Sequence, residues 1–452
     1  MERENKMGYM PIPKLVTTMS LPMMVSMLVQ ALYNVVDSMF VSRVSEEALT
    51  AVSLAFPAQN LLIGFATGTA VGVNALLSKS LGEKNYKRAN SVAANGIILA
   101  LVAYVIFLIF GLFGTELFFK LQTDNETIIA QGSDYLQVCC CVSFGVFLQI
   151  IFERLMQSTG RTFYTMITQG IGAIANIILD PIFIFGYFGV PEMGVKGAAV
   201  ATVLGQIIAA VIAIILNQKK NPDIQLNLKT FRPDFKIIGR IYAIGIPSII
   251  MVAVGSVMTF SINKIVIAFT ETAAAVFGVY FKLQSFIFMP VFGLNNGVIP
   301  IISFNYGAKK RDRVLKTIKV SLTFACSFMA IGLMMMQLAP EFLLSIFNAG
   351  EEMIKIGVVA LRTISLSYIA AGFSIVAISV FQAFGKGVYS MCISIARQLI
   401  VLIPAAYLLA KTNVLDNVWW AFPVAEIMSV LVAGLLFVYL YKTVIKKLSQ
   451  SD

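Results

Sequence analysis

Apolar runs of twenty residues or more alternate with short charged or glycine-containing stretches along nearly the whole chain. Runs of that length exceed ordinary core helices and match what a bilayer core of roughly 30 Å asks of a spanning helix. Reading between the charge clusters predicts twelve spans, at 15–41, 48–78, 91–114, 133–158, 163–188, 197–216, 241–268, 274–304, 317–340, 355–384, 388–410 and 417–441. Several are longer than a span needs, so tilt or kinks are expected. The stretch from Asn217 to Lys236 is the longest polar segment and carries Pro222 and Pro233, which marks it as a linker. The predicted fold class is therefore an all-α membrane protein of twelve transmembrane helices. It comprises a six-helix lobe (1–216), a cytoplasmic linker (217–240), a second six-helix lobe (241–441) and a cytoplasmic tail (442–452).

Composition agrees and narrows the chemistry. Only 13% of the 452 residues are charged, with mean hydropathy +0.84, where a soluble domain carries about 25%. The chain has no histidine, which removes histidine metal sites and Ser-His-Asp catalysis. Of the five cysteines, Cys139, Cys140 and Cys141 are consecutive, and Cys326 and Cys392 are isolated in apolar segments. Small apolar filler explains them better than a metal or disulfide pattern. The charged start, Met1 to Lys14, leads into a full span, so no cleavable signal peptide is expected.

Lysine and arginine set the orientation. Most of the 34 lie at the ends of the chain and in the loops after even-numbered spans, such as Lys79, Lys84, Lys87 and Arg88, or Lys309, Lys310, Arg311 and Arg313. The opposite loops hold Arg43, Lys120, Lys196, Lys355 and Lys411 with acids such as Asp124, Glu126, Glu351 and Glu352. Both termini are expected in the cytoplasm, in a bacterial inner membrane. The net charge of +11 follows from this asymmetry; it implies contact with anionic lipid and no nucleic-acid partner.

Shifted by 225 residues, the chain aligns with itself. Pro22 falls on Pro247, Gln59 on Gln284, Gly68 on Gly293, Gly72 on Gly297, Ser78 on Ser303 and Arg88 on Arg313. Gln157, Gly160 and Tyr164 fall on Gln382, Gly385 and Tyr389. Two six-helix halves of equal topology predict a pseudo-two-fold along the membrane normal and a central cavity, the plan of an alternating-access carrier. Pro22 and Pro247, early in the first helix of each half, each delete a backbone hydrogen bond and invite a kink.

Six segments then carry a family resemblance: Leu21-Pro22, Tyr33-Asn34-Val35-Val36-Asp37, Gly82-Glu83-Lys84-Asn85, Gln157-Ser158-Thr159-Gly160-Arg161, Asn176-Ile177-Ile178-Leu179-Asp180-Pro181 and Gly194-Val195-Lys196-Gly197-Ala198-Ala199. In this order and at these depths the chain resembles the multidrug and toxic compound extrusion (MATE) family, and within it the MepA-like bacterial exporters. The resemblance covers essentially the whole chain. It implies a V-shaped pair of lobes and antiport, with small organic cations and drugs leaving as protons or sodium ions enter. No cofactor is implied beyond that coupling ion, and a monomer is expected to suffice. The chain departs from members with cation-binding acids in the second half: the repeat partners of Asp37, Glu153 and Asp180 are Ile262, Ile378 and Ala405. A flippase of lipid-linked saccharide from the same fold superfamily is the alternative, kept open by the deep basic residues Lys264, Lys282 and Arg397.

Four acids lie deep in the spans: Asp37, Glu153, Asp180 and Glu426. Each costs a few kcal/mol there, and three have aliphatic repeat partners, so the fold does not require them. Asp37 and Asp180 are expected at similar depth, joined by Asn34 and Asn176 on their respective helix faces. Pro181 leaves the Ile177 carbonyl free. Carboxylates, amide oxygens and a bare carbonyl suit a proton or a Na⁺ held at Asp37, Asn176 and Asp180; no other metal site is expected. The alternative is an ion pair of Asp37 or Asp180 with Lys264, Lys282 or Arg397. Glu153 is read either as a cavity carboxylate or as a local partner of Arg154 or a gate contact. Glu426 is read as a structural partner of Arg397. Gln59, Gln157, Gln284 and Met27 complete the expected cavity lining, with interhelical packing the competing role for each.

Overall fold

The computed structural model describes residues 5–226, 232–347 and 349–448. The linker centre, 227–231, and the tail from 449 onward lie outside the described residues. Among the described residues the regular structure is helical. The first half runs α1 (Ile12–Ser42), α2 (Glu46–Gly82), α3 (Tyr86–Phe113), the short α4 (Thr115–Lys120), α5 (Glu126–Cys141), α6 (Phe144–Ser158), α7 (Thr162–Phe185) and α8 (Gly194–Lys220). The second half runs α9 (Phe235–Ile267), α10 (Glu271–Gly307), α11 (Arg311–Leu338), the short α12 (Pro340–Ser345), α13 (Glu351–Ser365) and α14 (Tyr368–Ala383). It closes with α15 (Gly387–Ile395), a π-helical segment Ala396–Leu402, α16 (Ile403–Ala410), the short α17 (Leu415–Val418) and α18 (Ala421–Thr443).

Among the described residues ten helices are long and apolar enough to cross a membrane, and two bent pairs, each counted as one span, bring the total to twelve. The bent pairs fall at the predicted spans 133–158 and 355–384, each of which is made of two helices. α5 and α6 meet at 45°, and α13 and α14 at 49°. At each bend a serine hydroxyl donates back to a carbonyl three residues earlier, Ser143 to Cys140 at 2.7 Å and Ser367 to Ile364 at 2.6 Å. Such back-bonding competes with the helical ladder.

The 225-residue repeat is written into local geometry. Ser45 caps α2 through the Ala48 amide and Thr270 caps α10 through the Ala273 amide, each satisfying a donor that a helix start leaves open. Lys84 and Lys309 share a left-handed backbone, as do Gly160 and Gly385. Ser78 donates to the Ser158 carbonyl at 2.9 Å, and Ser303 to the Ala383 carbonyl at the same distance.

Packing divides the chain into two compact units, Val25–Ile249 and Met1–Met24 with Ile250–Asp452. The dividing points fall inside α1 and α9, just past Pro22 and Pro247, although both helices continue through their prolines. Within the first unit, the start of α9 lies against α2, where a side chain on Gly68 would strike the Gly245 carbonyl and one on Gly72 the Ile241 carbonyl. Within the second unit, the start of α1 lies against α10, where Gly293 meets Met24 and Gly297 meets Ser20 in the same fashion. Ser20 also donates to the Leu294 carbonyl at 3.2 Å. The second unit further secures Asn5–Met10: Met7 is fully buried, its carbonyl accepting from Asn305 and Arg313 at 3.0 and 2.9 Å.

Candidate functional site

The first unit gathers three of the expected coupling residues. Asp180 is fully buried on α7, and Asn176, one turn earlier, is 3% exposed. Asp37, on α1, brings its carboxyl within side-chain hydrogen-bond reach of Asp180. A carboxylate has no proton to donate, so this contact calls for a proton or a cation between the two groups. Asp37 Oδ1 is buried and has no partner among the described residues. The Asn176 amide sits between Asp180 and Thr202 on α8. In the orientation that satisfies both, its NH2 donates to Asp180 Oδ2 at 3.2 Å and its oxygen accepts from the Thr202 hydroxyl and amide at 3.3 and 3.2 Å.

Tyr33 lies within electrostatic range of both aspartates, and Tyr135 on α5 within range of Asp37. Gln59 donates to the Tyr135 hydroxyl at 3.0 Å, so it supports the wall beside the aspartates. Pro181 follows Asp180 inside α7 and leaves the Ile177 carbonyl without its helical donor. The donor set is thus two carboxyls with amide, hydroxyl and carbonyl oxygens, and among the described residues no group of three or more His, Cys, Asp or Glu is placed to hold a metal ion. Those hard oxygens fit a proton or a monovalent cation. Asn34 is the exception among the expected ligands: its side chain is exposed and makes no hydrogen bond among the described residues.

Glu153, on α6, forms a second centre with Thr168 and Gln169 of α7, which lie about 16–18 Å along α7 from Asp180 at 1.5 Å per residue. It is 2% exposed. Oε1 accepts from Gln149 at 3.1 Å and Thr168 at 2.9 Å, and Oε2 from Gln169 at 2.8 Å. Arg154 turns instead to Gln157 Oε1 at 2.8 Å, in keeping with the 100° between neighbouring helical residues. Gln157 is therefore a buried partner of Arg154, 1% exposed. Met27 on α1 is half-buried, and so is Gln284 on α10 in the second unit.

Among the described residues the second unit has no counterpart of the Asp37–Asp180 pair. Ile262, at the repeat position of Asp37, is fully buried core. Arg397 pairs with Glu426 at 2.9 Å, which fulfils the structural reading of Glu426 and leaves that guanidinium engaged. It stands in the π-helical segment that precedes Pro404. Lys264 and Lys282 are exposed and form no ion pair among the described residues.

Thr202, Tyr135, Thr168 and Gln169 were not singled out from the sequence. Thr165, Thr168 and Gln169 do form a polar stripe at helical spacing on α7, and Gln149 precedes Glu153 by one turn, so the Glu153 cage was readable. Thr202 sits in an uncharged run of small residues and gives no such signal.

Comparison with known proteins agrees with this geometry. The chain is 27% identical to the multidrug export protein MepA of Staphylococcus haemolyticus over 408 residues, covering 90% of this chain and 89% of the relative. It is likewise 27% identical to MepA of Staphylococcus saprophyticus, with 94% and 92% covered. Among solved structures, MATE in complex with MaL6 matches with TM-score 0.92 at 25% identity, covering 99% of this chain and 100% of that one. An outward-facing multidrug resistance MATE transporter of the MOP superfamily matches with TM-score 0.91 at 25% identity and 99% coverage of each. These likenesses do not favour the flippase alternative. The MatE family pattern matches residues 22–182 and 247–408, the two repeats in turn, and the chain belongs to the MatE family.

Proposed function

We propose that this protein exports small organic cations and drugs across the bacterial inner membrane by alternating access, coupled to inward flow of H⁺ or Na⁺ at Asp37 and Asp180. The observation that carries the reading is the approach of the half-buried Asp37 carboxyl to the buried carboxyl of Asp180 in one unit where the repeat supplies Ile262 and Ala405 in the other. Coupling needs a site whose affinity for the ion differs between conformations, because only differential binding shifts an equilibrium. Asp180, beside the free Ile177 carbonyl, lies where α7 has a softened ladder and can respond to occupancy. Asn176 and Thr202 orient Asp180. Asp37 supplies the second carboxyl from α1, the helix that passes from one compact unit to the other. Glu153 is assigned to recognition of positive charge on the substrate, with Gln149, Thr168 and Gln169 holding its carboxylate. The charge asymmetry of the loops supports cytoplasmic termini.

The test is ethidium transport in everted vesicles with a proton gradient and a sodium gradient imposed separately. Transport under at least one gradient is expected. No transport under either would overturn the reading.

A further inference from the structure

The short helices α4 and α12 each follow a span and occupy repeat-related places. Each is pinned by a large residue set against a glycine of the next helix. A Cβ at Gly132 on α5 would strike the Phe119 ring, and one at Gly357 on α13 the Leu344 side chain. The pinned side is Thr115 with Phe119 in α4 and Pro340 with Leu344 in α12, all buried. At about 100° per residue, two further stripes run beside it. Glu116 and Lys120, an exposed ion pair, form the polar one, matched in α12 by the exposed Glu341 and Ser345. Phe113, Leu117 and Leu121 form the apolar one, matched by Leu338, Phe342 and Ile346.

All six members of the apolar stripe are exposed, the least of them, Ile346, by 59%, and the stripe points away from the pinned side. A helix docked on a protein and washed by water turns polar groups outward. Here both halves keep their polar groups beside the outward stripe and fill the stripe itself with large apolar side chains. The stripe also continues the exposed side of the preceding span, through Val102, Ile106 and Ile109 on α3 and through Ile331, Met334 and Met335 on α11. Those stretches are uncharged from Arg88 to Phe113 and from Lys319 to Leu338. Their lengths, about 38 and 28 Å at 1.5 Å per residue, bracket a hydrocarbon core of roughly 30 Å, so α4 and α12 begin where the core ends. Lys120 is paired with Glu116 and α12 holds no basic residue, which leaves apolar insertion, not attraction to anionic headgroups, to hold them there.

We propose that α4 and α12 are interfacial anchors, one in each unit, whose apolar stripes insert into the headgroup–acyl boundary of the outer leaflet and set the depth at which each unit sits. The outer side follows from the cytoplasmic termini argued above; the test reads depth and is independent of sidedness and of transport. Purified full-length Leu117→Trp and Phe342→Trp are reconstituted in phosphatidylcholine vesicles, and the signal of Trp419 and Trp420, measured in the unsubstituted protein, is subtracted. Lipid brominated near the headgroup end of its acyl chains should quench each new tryptophan about twofold more than lipid brominated near the chain terminus, as insertion by roughly 5–10 Å requires. Aqueous acrylamide should quench both less than it quenches Ser345→Trp, on the polar stripe of α12. Equal or stronger quenching by the deep bromines overturns the proposal by placing the stripe within the span. Quenching by acrylamide alone overturns it in favour of water, and quenching by neither reagent in favour of a covering protein surface such as a second copy. Any of these results at either site is sufficient.

Discussion

The two units share a helical repeat but differ in the charges they carry within their spans. In Val25–Ile249 the deep charges are Asp37, Glu153 and Asp180 with Arg154; in the other unit they are Lys264, Lys282 and Arg397 with Glu426. Turn geometry, caps and the Ser78 and Ser303 hydrogen bonds are reproduced in both. The charges are not. Where the first unit sets two carboxyls against each other, the second has the buried Ile262 in the corresponding place. Its own deep acid, Glu426, is paired with Arg397. A scaffold that is complete with an isoleucine at that position does not need an aspartate for stability. The shared features therefore report on folding, and the unshared ones on the work done by each unit.

The largest effect concerns the shared features. Gly72 and Gly297 each admit a backbone that a side chain would displace. Gly72→Val and Gly297→Val should each destabilise the protein by about 3 kcal/mol, the upper range for overpacking, and by similar amounts because the contacts are repeat-related. Thermal unfolding of the purified variants checks this. A large loss in one and none in the other would break the comparison.

A smaller effect sharpens the unshared side. Glu153→Gln keeps the shape of the side chain but removes the charge and turns one of its two accepting oxygens into an NH2 donor. Export of dicationic substrates should fall several-fold more than export of monocationic ones, as expected if the carboxylate recognises charge. Equal loss for both classes would assign Glu153 to holding α6 against α7.

Much of this was legible beforehand. A charge inside an apolar run is conspicuous, which is why Asp37, Asp180, Glu153 and the Arg397–Glu426 pairing were identified from the sequence. Constant offset between glycines and prolines gave the repeat. Glycine marks a close approach without naming its partner, so Gly68 and Gly72 did not reveal that the start of α9 is what they admit. The bends after Cys141 and Ser365 carry no proline, and serine back-bonding at Ser143 and Ser367 is a local choice that composition does not announce. Thr202 is uncharged, and its role arises only because α8 packs beside Asn176. Asn34 shares a nominal helix face with Asp37 yet is exposed, since spacing fixes a direction along one helix and not what lies opposite it.

The most direct test of the central claim is gradient-driven ethidium transport by Asp180→Asn at equal expression, beside Asp37→Asn, the double variant and Ala405→Asp in the Asp180→Asn background. The substitution is nearly isosteric and removes the charge and the exchangeable proton. The account predicts that each single variant loses export while still binding ethidium, that the double variant is scarcely worse than either because the two act as one site, and that Ala405→Asp restores nothing. Normal export by Asp180→Asn under either gradient would contradict it.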